Sequence, residues 1–240
     1  MDNRASMVSS AFLVACGLAA SGYFIGQTLY NSKRGENTAE VKGLAERRVS
    51  ADRAFWRIDY TLLRKGDVQL DQLYRDSERD QARIVKMLKD NGFDSDEMRL
   101  GVVEYQKSEL RNSDQKLVEE RHRLCGSIEI ETGKVRQVAA VRARLNQLIA
   151  EGVDITNNAP NFQFTRLNQI KPEMVKEATQ NARKAATEFA LNAGVQVGGI
   201  KSAEQGGFSI RDVGDENSDS RSLEKDVRLV TSISFYLTGK

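Results

Sequence analysis

Residues 7–30, MVSSAFLVACGLAASGYFIGQTLY, constrain the fold more than any other segment, because they contain no charged side chain. At about 1.5 Å of rise per residue, a helix over this run is about 36 Å long and can cross a hydrocarbon core of about 30 Å. The sequence therefore predicts one transmembrane anchor over residues 7–30, after a short cytoplasmic lead over residues 1–6. A polar linker over residues 31–38 and one globular domain over residues 39–240 are predicted to follow.

Three interpretations of this segment compete: an uncleaved anchor, a cleaved secretory signal and a lipoprotein signal. The apolar run exceeds the roughly 7 to 15 residues of a signal-peptide core, which favours the anchor. Residues 13–16 read LVAC and fit a lipobox, but the chain stays apolar after Cys16, where a lipoprotein normally begins a polar tether. Charge alone does not determine the topology, since Arg4 precedes the run and Lys33 and Arg34 follow it.

Small residues line one face of the predicted anchor. Ala15, Ala19, Gly22 and Gly26 are spaced by four, three and four positions, which places them on the same side of a helix. The last two form a G-x-x-x-G motif, and small residues let helix backbones approach closely in lipid. We expect this face to promote self-association, although glycine and alanine are also common in membrane helices for general reasons.

Charge and cysteine content exclude two classes of protein. The 36 Lys and Arg residues nearly balance the 34 Asp and Glu residues and are interleaved with them, so the chain has no basic stripe for nucleic acid. Cys16 lies in the apolar run and Cys125 in the polar part. They are not expected to pair, and the fold must depend on packing instead of a disulfide framework.

Hydrophobic periodicity predicts the order of helices and strands after the linker. Strands are predicted near residues 41–49, 55–64, 98–107, 117–131, 161–168, 195–200 and 227–237, and helices over residues 68–91, 134–151 and 171–194. The succession strand, helix, strand, strand, helix, strand is the βαββαβ arrangement of a ferredoxin-like unit. We therefore predict an α+β fold in which this core is extended by a third helix and two strands.

Local signals predict several details of these elements. Asp67 is a candidate N-cap for the first helix, and Leu70 and Tyr74 are expected on its apolar face. Pro172 is expected in the first turn of the third helix, where its missing N–H costs nothing. Gly43 is a candidate bulge in the first strand.

The third predicted helix also carries a face of mostly small residues. Ala178, Ala182, Ala185 and Phe189 are the residues expected to form a close-packing face. Small side chains permit a helix to come close to a sheet or to another helix. The sequence does not say which of these partners is present.

The sequence does not assemble a catalytic or cofactor site. His122 is the single histidine and shares its strand phase with Leu124 and Ile128, so we interpret it as a buried structural residue. Cys125 is expected on the opposite face of the strand from His122, which disfavours a Cys–His pair. A redox-sensing thiol is the functional alternative for Cys125. No metal, no cofactor and no combination of nucleophile, base and orienting group are predicted.

One acidic segment and two glycine pairs also lack a recognised motif. Residues 212–219, DVGDENSD, are rich in oxygen ligands but do not have EF-hand spacing, so a solvated, mobile loop is expected. The glycine pairs at 198–199 and 206–207 are not followed by a predicted helix. They are therefore interpreted as bulges or turns instead of phosphate-binding loops.

Several segments together resemble a known family. They are VKGLAE at residues 41–46, the first helix with its Asn-Gly end, EATQNARKAA at 177–186 leading into AGVQVGGI at 193–200, and the final strand at 227–237. This combination resembles the SIMPL-domain family of bacterial envelope proteins over roughly residues 39–237. The alanine-rich helix followed by the Gly-Val strand is the most specific part of the match.

The resemblance implies a periplasmic or envelope-associated α+β domain. It also implies assembly, because family members form large ring-like or channel-like homo-oligomers, and a cellular role that is often connected with oxidative stress. The family has no established catalytic residues that could be assigned to this chain. Many members begin with an ordinary signal peptide, whereas this chain begins with the anchor-like residues 7–30.

We therefore expect a non-enzymatic, single-pass protein of the inner membrane, with its globular domain in the periplasm and homo-oligomeric assembly as its mode of action. Its expected partners are other copies of itself and the inner membrane. The alternative is a monomeric periplasmic binding module for a small ligand or an envelope partner, with a site in the groove beside the alanine-rich helix. An enzyme is the third choice.

Overall fold

The computed structural model describes residues 2–34, 37–215 and 218–239, which form a mixed α+β fold. The helices are α1 (Asp2–Arg34), α2 (Leu70–Asp90), α3 (Val135–Ala150) and α4 (Leu167–Asn192). The strands are β1 (Thr38–Ser50), β2 (Arg53–Lys65), β3 (Met98–Leu100), β4 (Glu104–Arg111), β5 (Leu117–Thr132), β6 (Asp154–Asn157), β7 (Asn161–Gln163), β8 (Val195–Asp212) and β9 (Glu224–Gly239). A short 3₁₀ turn, Ser95–Glu97, precedes β3.

The chain forms two compact units that each combine separate segments. The first unit contains Met1–Ala45, Lys171–Phe208 and Arg228–Lys240, and the second contains Glu46–Ile170 and Ser209–Val227. The ferredoxin-like elements β2 to β7 all belong to the second unit. Most of α4 belongs to the first.

The predicted ferredoxin-like core is confirmed. The sheet has the order β3-β5-β2-β6, with β4 also paired to β5 and β7 also paired to β2. All of these pairs are antiparallel. If β3 with β4 and β6 with β7 are each counted as one interrupted strand, this is the βαββαβ order that the sequence predicts.

The core of the second unit lies between this sheet and its two helices. Buried and more exposed residues alternate along β2 as predicted, and Trp56, Ile58 and Tyr60 are at most 2% exposed. Residues from β5, α2 and α3 complete the same cluster, among them Ile128, Ile84, Leu88, Val138 and Leu145. The sheet therefore buries one face against helices, while its other face carries polar and charged side chains.

Two predicted strands differ from the observed ones. The predicted strand over residues 98–107 is divided at Gly101, where a β-carbon would overlap the hydroxyl oxygen of Ser127. The predicted strand over residues 161–168 is shorter, because β7 ends at Gln163 and α4 begins at Leu167, and β6 is a further strand that was not predicted. Asn158 and Pro160 separate β6 from β7, and the Asn158 carbonyl accepts a hydrogen bond of 3.0 Å from the Trp56 indole N–H.

Three details of the helices differ from the prediction. The residue before α2 is Gln69, not Asp67, and it makes no side-chain cap. Leu70 and Tyr74 are 45% and 42% exposed, because they lie beside the buried row of Leu73, Ser77, Ile84 and Leu88 instead of in it. Pro172 lies inside α4, since that helix begins at Leu167.

A three-stranded sheet with the order β1-β9-β8 carries α4. In the first unit, Ala182 and Ala186 of α4 pack against Ile233 and Phe235 of β9. Gly43 of β1 has a different role from the predicted bulge. A β-carbon on Gly43 would lie 2.8 Å from the β-carbon of Ala182 and would overlap the carbonyl oxygen of Ala178.

Helix α1 is long and apolar enough to cross a membrane over Phe12–Leu29, as judged by length and composition. It continues to Arg34, and β1 begins at Thr38. None of Phe12–Leu29 is buried within the fold. The apolar surface of this helix is therefore available for contact with lipid or with another molecule.

Candidate functional site

A cavity lies on the open face of the ferredoxin-like sheet. It has a volume of about 770 Å³, within the size range of small-molecule pockets. Its floor includes Phe55 and Arg57 of β2 and Glu129 and Glu131 of β5. Arg99 of β3 also lines it, and Phe55 is 38% exposed there.

The charges that line this cavity are largely paired with one another. The Arg57 guanidinium lies 2.8 Å from Asp59 and 3.3 Å from Glu129. Its hydrogen bond to Asp59, followed by the attraction of that carboxylate, raises the pKa of Arg57. Arg53 and Arg99 approach the same carboxylate, that of Glu131, at 3.9 and 4.0 Å. The surface carries both signs and does not select strongly for anions or cations.

A network of ionic hydrogen bonds fixes one wall of the cavity. The Lys134 ammonium donates to the Gly92 carbonyl at 2.8 Å, to Asp94 at 2.6 Å and to Glu97 at 2.8 Å. Burial alone would raise the pKa of Glu97, but hydrogen bonds from Lys134 and Thr132 outweigh it and lower that pKa. The hydrogen bond to Asp94 is the main cause of the raised pKa of Lys134. These groups stabilise the 3₁₀ turn and are not free for catalysis.

His122 and Cys125 do not form a catalytic pair. His122 is 6% exposed, and its Nδ1 atom lies 2.7 Å from the Tyr105 hydroxyl. Its Nε2 atom lies 3.9 Å from a carboxylate oxygen of Glu120. Cys125 is half-buried, and its Sγ atom lies 3.9 Å from the hydroxyl of Thr61. Among the described residues, no group of three or more His, Cys, Asp or Glu side chains could hold a metal ion.

The acidic segment at residues 212–219 differs from the solvated loop that the sequence predicts. Asp212 is the last residue of β8 and is 4% exposed. It accepts hydrogen bonds from Lys225, from the Ser218 hydroxyl at 2.6 Å and from the Arg221 N–H at 2.8 Å. Its carboxylate is therefore used within the fold, and residues 216 and 217 lie outside the described part.

The predicted glycine turns are part of a strand. Gly198, Gly199, Gly206 and Gly207 all lie within β8. A β-carbon on Gly206 would lie 2.5 Å from the carbonyl oxygen of Val230. Close approach of β8 to β9, and not a turn, is the reason for glycine at that position.

The four small residues of α1 are exposed on one side of the helix. Ala15, Ala19, Gly22 and Gly26 are all exposed, and a β-carbon on either glycine would meet nothing within 4 Å. The hydroxyls of Ser21 and Thr28 donate to the carbonyls of Gly17 and Phe24, each at 2.8 Å. These two hydroxyls thus satisfy their hydrogen bonds within the helix, which suits a lipid environment.

The predicted close-packing residues of α4 do not all lie on its buried face. Ala178 and Ala182 are fully buried, Ala185 is half-buried, and Phe189 is 54% exposed. The buried residues of α4 follow one another at intervals of four positions and are Met174, Ala178, Ala182, Ala186 and Ala190. A strict four-residue spacing would have excluded Phe189 and included Ala190.

Sequence reasoning also missed Lys225, which is fully buried, and the cavity residues, whose charges resemble those of any polar sheet face.

Comparison with known proteins identifies a family. The profile of the family described as SIMPL, protein of unknown function (DUF541), matches residues 39–228. The match covers most of the chain and begins after α1. No curated protein matches the chain.

Proposed function

We propose that this chain, which belongs to the SIMPL family, is a non-enzymatic protein that is anchored in the inner membrane by α1 and works as a homo-oligomer in the periplasm. The observation that carries this proposal is the fully exposed apolar helix over Phe12–Leu29, attached to a folded domain with its own cores. A helix of this length and composition finds its favourable environment in a bilayer.

The assembly part of the proposal has two supports. The exposed Gly22 and Gly26 offer a surface on which two helices in the same membrane can pack closely. The family resemblance described above implies homo-oligomers. An assembled envelope protein fits a role in envelope or oxidative-stress tolerance, and this role is part of the proposal.

A reporter fused to the C-terminus tests the location. A periplasm-active enzyme fused after residue 240 is expected to be active, and a silent reporter with an active cytoplasmic counterpart would contradict the periplasmic domain.

Mass analysis of the mature N-terminus distinguishes the anchor from its alternatives. An intact N-terminus is expected, whereas cleavage or a lipid on Cys16 would contradict the anchor.

Light scattering of the full-length chain in mild detergent tests the assembly. A discrete multimer is expected at micromolar concentration. A clean monomer would contradict the assembly.

A monomeric binding module is the second candidate function. The observation that favours it is the 770 Å³ cavity on the open sheet face, with Phe55 in its floor. The sequence suggested such a site in the groove beside α4 instead. A co-purified small molecule on a monomer in native mass spectrometry would support this second function over the first.

A further inference from the structure

The connection between α1 and the three-stranded sheet is short. Helix α1 ends at Arg34, and Asn37 is the residue before β1. Three Cα–Cα steps join these two residues, and they span at most about 11 Å. The Asn37 carbonyl accepts a hydrogen bond of 2.8 Å from the N–H of Leu237, near the end of β9. The start of β1 and the end of β9 are therefore held close to the end of α1.

With α1 across the bilayer as proposed, this end of the sheet lies at the membrane surface. The apolar window of α1 ends at Leu29, and the helix continues for five residues, or about 8 Å, to Arg34. The headgroup layer outside the hydrocarbon core is about 5–8 Å thick on each side. Arg34 therefore lies near the outer boundary of the headgroups, and Asn37 lies within about 11 Å of it.

Helix α4 ends at the same end of the sheet. Only Ala193 and Gly194 separate its last residue, Asn192, from the start of β8. Strand β8 starts beside the end of β9, because a β-carbon on Gly198 would lie 3.2 Å from the carbonyl oxygen of Tyr236. The last turn of α4 is therefore on the side of the first unit that the connection to α1 holds towards the membrane.

This last turn exposes two large apolar side chains. Phe189 and Leu191 are 54% and 73% exposed, and they flank the buried Ala190 on its two sides. Burial of such side chains in an apolar environment is favourable. The exposed Arg183 and Lys184 lie about one to two turns earlier in α4. Apolar side chains at the acyl boundary with basic side chains beside them are typical of a helix that lies in a membrane interface.

The charge at this end of α4 also suits a lipid surface. Residues 181–194 contain Arg183 and Lys184 but one carboxylate, that of Glu188. Long basic side chains can reach towards lipid phosphates while their apolar stems remain in contact with less polar groups. Attraction to anionic lipids therefore adds to the burial of Phe189 and Leu191.

We propose that the last turn of α4 inserts Phe189 and Leu191 into the membrane that α1 spans, in the leaflet that faces the globular domain. This inference rests on the proposed anchor and goes beyond it, because it gives the first unit a lipid contact of its own. The lipid surface is the partner that the structure favours, since the short connection brings this turn to the bilayer in every copy. A second contact of this kind fixes the orientation of the first unit on the membrane.

Lipid quenching of a fluorophore tests this insertion. The full-length chain with Cys16→Ala and Cys125→Ser is reconstituted in vesicles of phosphatidylethanolamine and phosphatidylglycerol that contain a lipid with a nitroxide on its acyl chain. An NBD fluorophore is attached to Phe189→Cys or to Leu191→Cys, which replace exposed side chains. Both are expected to show blue-shifted emission and strong quenching by the nitroxide.

Two further labelled positions serve as references. Lys176→Cys is the matched control, since Lys176 is exposed on the same helix and lies thirteen residues, or about 20 Å, before Phe189. Its quenching is expected to be several times weaker. Leu18→Cys in α1 marks full contact with lipid, because Leu18 lies within the apolar window.

The outcomes separate this inference from the proposed anchor. Quenching at Leu18→Cys, with no more quenching at Phe189→Cys and Leu191→Cys than at Lys176→Cys, would overturn the insertion and leave the anchor standing. Blue-shifted emission without quenching at these two positions would also overturn it, because protein would then cover the turn instead of lipid. A lack of quenching at Leu18→Cys would contradict the anchor and the insertion together.

Discussion

Gly43 and Ala182 lie so close together that a β-carbon on Gly43 would be 2.8 Å from the β-carbon of Ala182. Real β-carbons essentially never approach to that distance, so glycine is required where α4 lies on β1. The adjacent hydrogen bond from Asn181 to the Leu44 carbonyl fixes the same helix over the same strand. This contact holds α4 against the face of the three-stranded sheet.

Substitution of Gly43 should therefore destabilise the first unit. Gly43→Ala forces α4 away from β1, and we expect the free energy of unfolding to fall by about 1–3 kcal/mol. Thermal unfolding followed by circular dichroism measures the change. Gly207→Ala is the matched control in the same unit, because a β-carbon there meets nothing within 4 Å. Equal melting temperatures for the two variants would contradict this packing.

Loss of the buried ammonium of Lys225 should be more damaging. Lys225 is fully buried, pairs with Asp212 and donates to the Asp219 carbonyl at 2.8 Å. Lys225→Met leaves a buried carboxylate without its cation, which typically costs about 3–5 kcal/mol. Urea unfolding followed by the fluorescence of Trp56, the single tryptophan, measures this. The control Arg48→Met breaks an exposed pair with Asp226 and should leave the urea midpoint nearly unchanged.

The same pair predicts a dependence of stability on pH. Burial alone would raise the pKa of Asp212, but hydrogen bonds from Lys225, Ser218 and the Arg221 N–H outweigh it and hold the pKa far below its usual range. A carboxyl whose folded-state pKa is depressed stabilises the fold above its unfolded-state pKa, about 3.9, and loses that contribution as the pH falls further.

Urea titrations between neutral and strongly acidic pH check this dependence. The wild type should lose stability below about pH 4, and Lys225→Met should lose less over the same range, because its Asp212 has a smaller pKa depression. Parallel curves for the two proteins would contradict the assignment to Asp212.

The small-residue face of α1 predicts an effect within the membrane. Gly22→Leu with Gly26→Leu places two large side chains where close helix packing is proposed. We expect the self-association signal in a membrane two-hybrid assay to fall to that of a monomeric helix. Ala20→Leu, on another side of the helix, is the matched control and should retain the signal. An unchanged signal in the double variant would exclude this face as a contact.

The sequence predicts the regular parts of the fold well, since their signals are local. The alternation of Trp56, Ile58 and Tyr60 with polar residues identifies β2, and the Asn-Gly after residue 90 identifies the end of α2. Gly92 there has a φ of +88°, which glycine adopts without strain. The order of these elements indicates the βαββαβ arrangement, but it does not determine which strands pair.

The errors arise where tertiary contacts override local pattern. The break at Gly101 depends on Ser127, which is distant in sequence. Lys225 reads as a surface charge because its partner Asp212 lies on the other side of a polar loop. Phe189 is apolar and helically spaced, yet it is exposed because the neighbouring row of alanines makes the contact. Each of these features requires knowledge of which segments meet.

The most direct test of the account is a count of the subunits. Native mass spectrometry of the full-length chain, released from a lipid bilayer, gives that number and also detects any bound small molecule. The account predicts a discrete multimer and no ligand. A monomer, with or without a small molecule in its cavity, would contradict the central claim of assembly in the membrane.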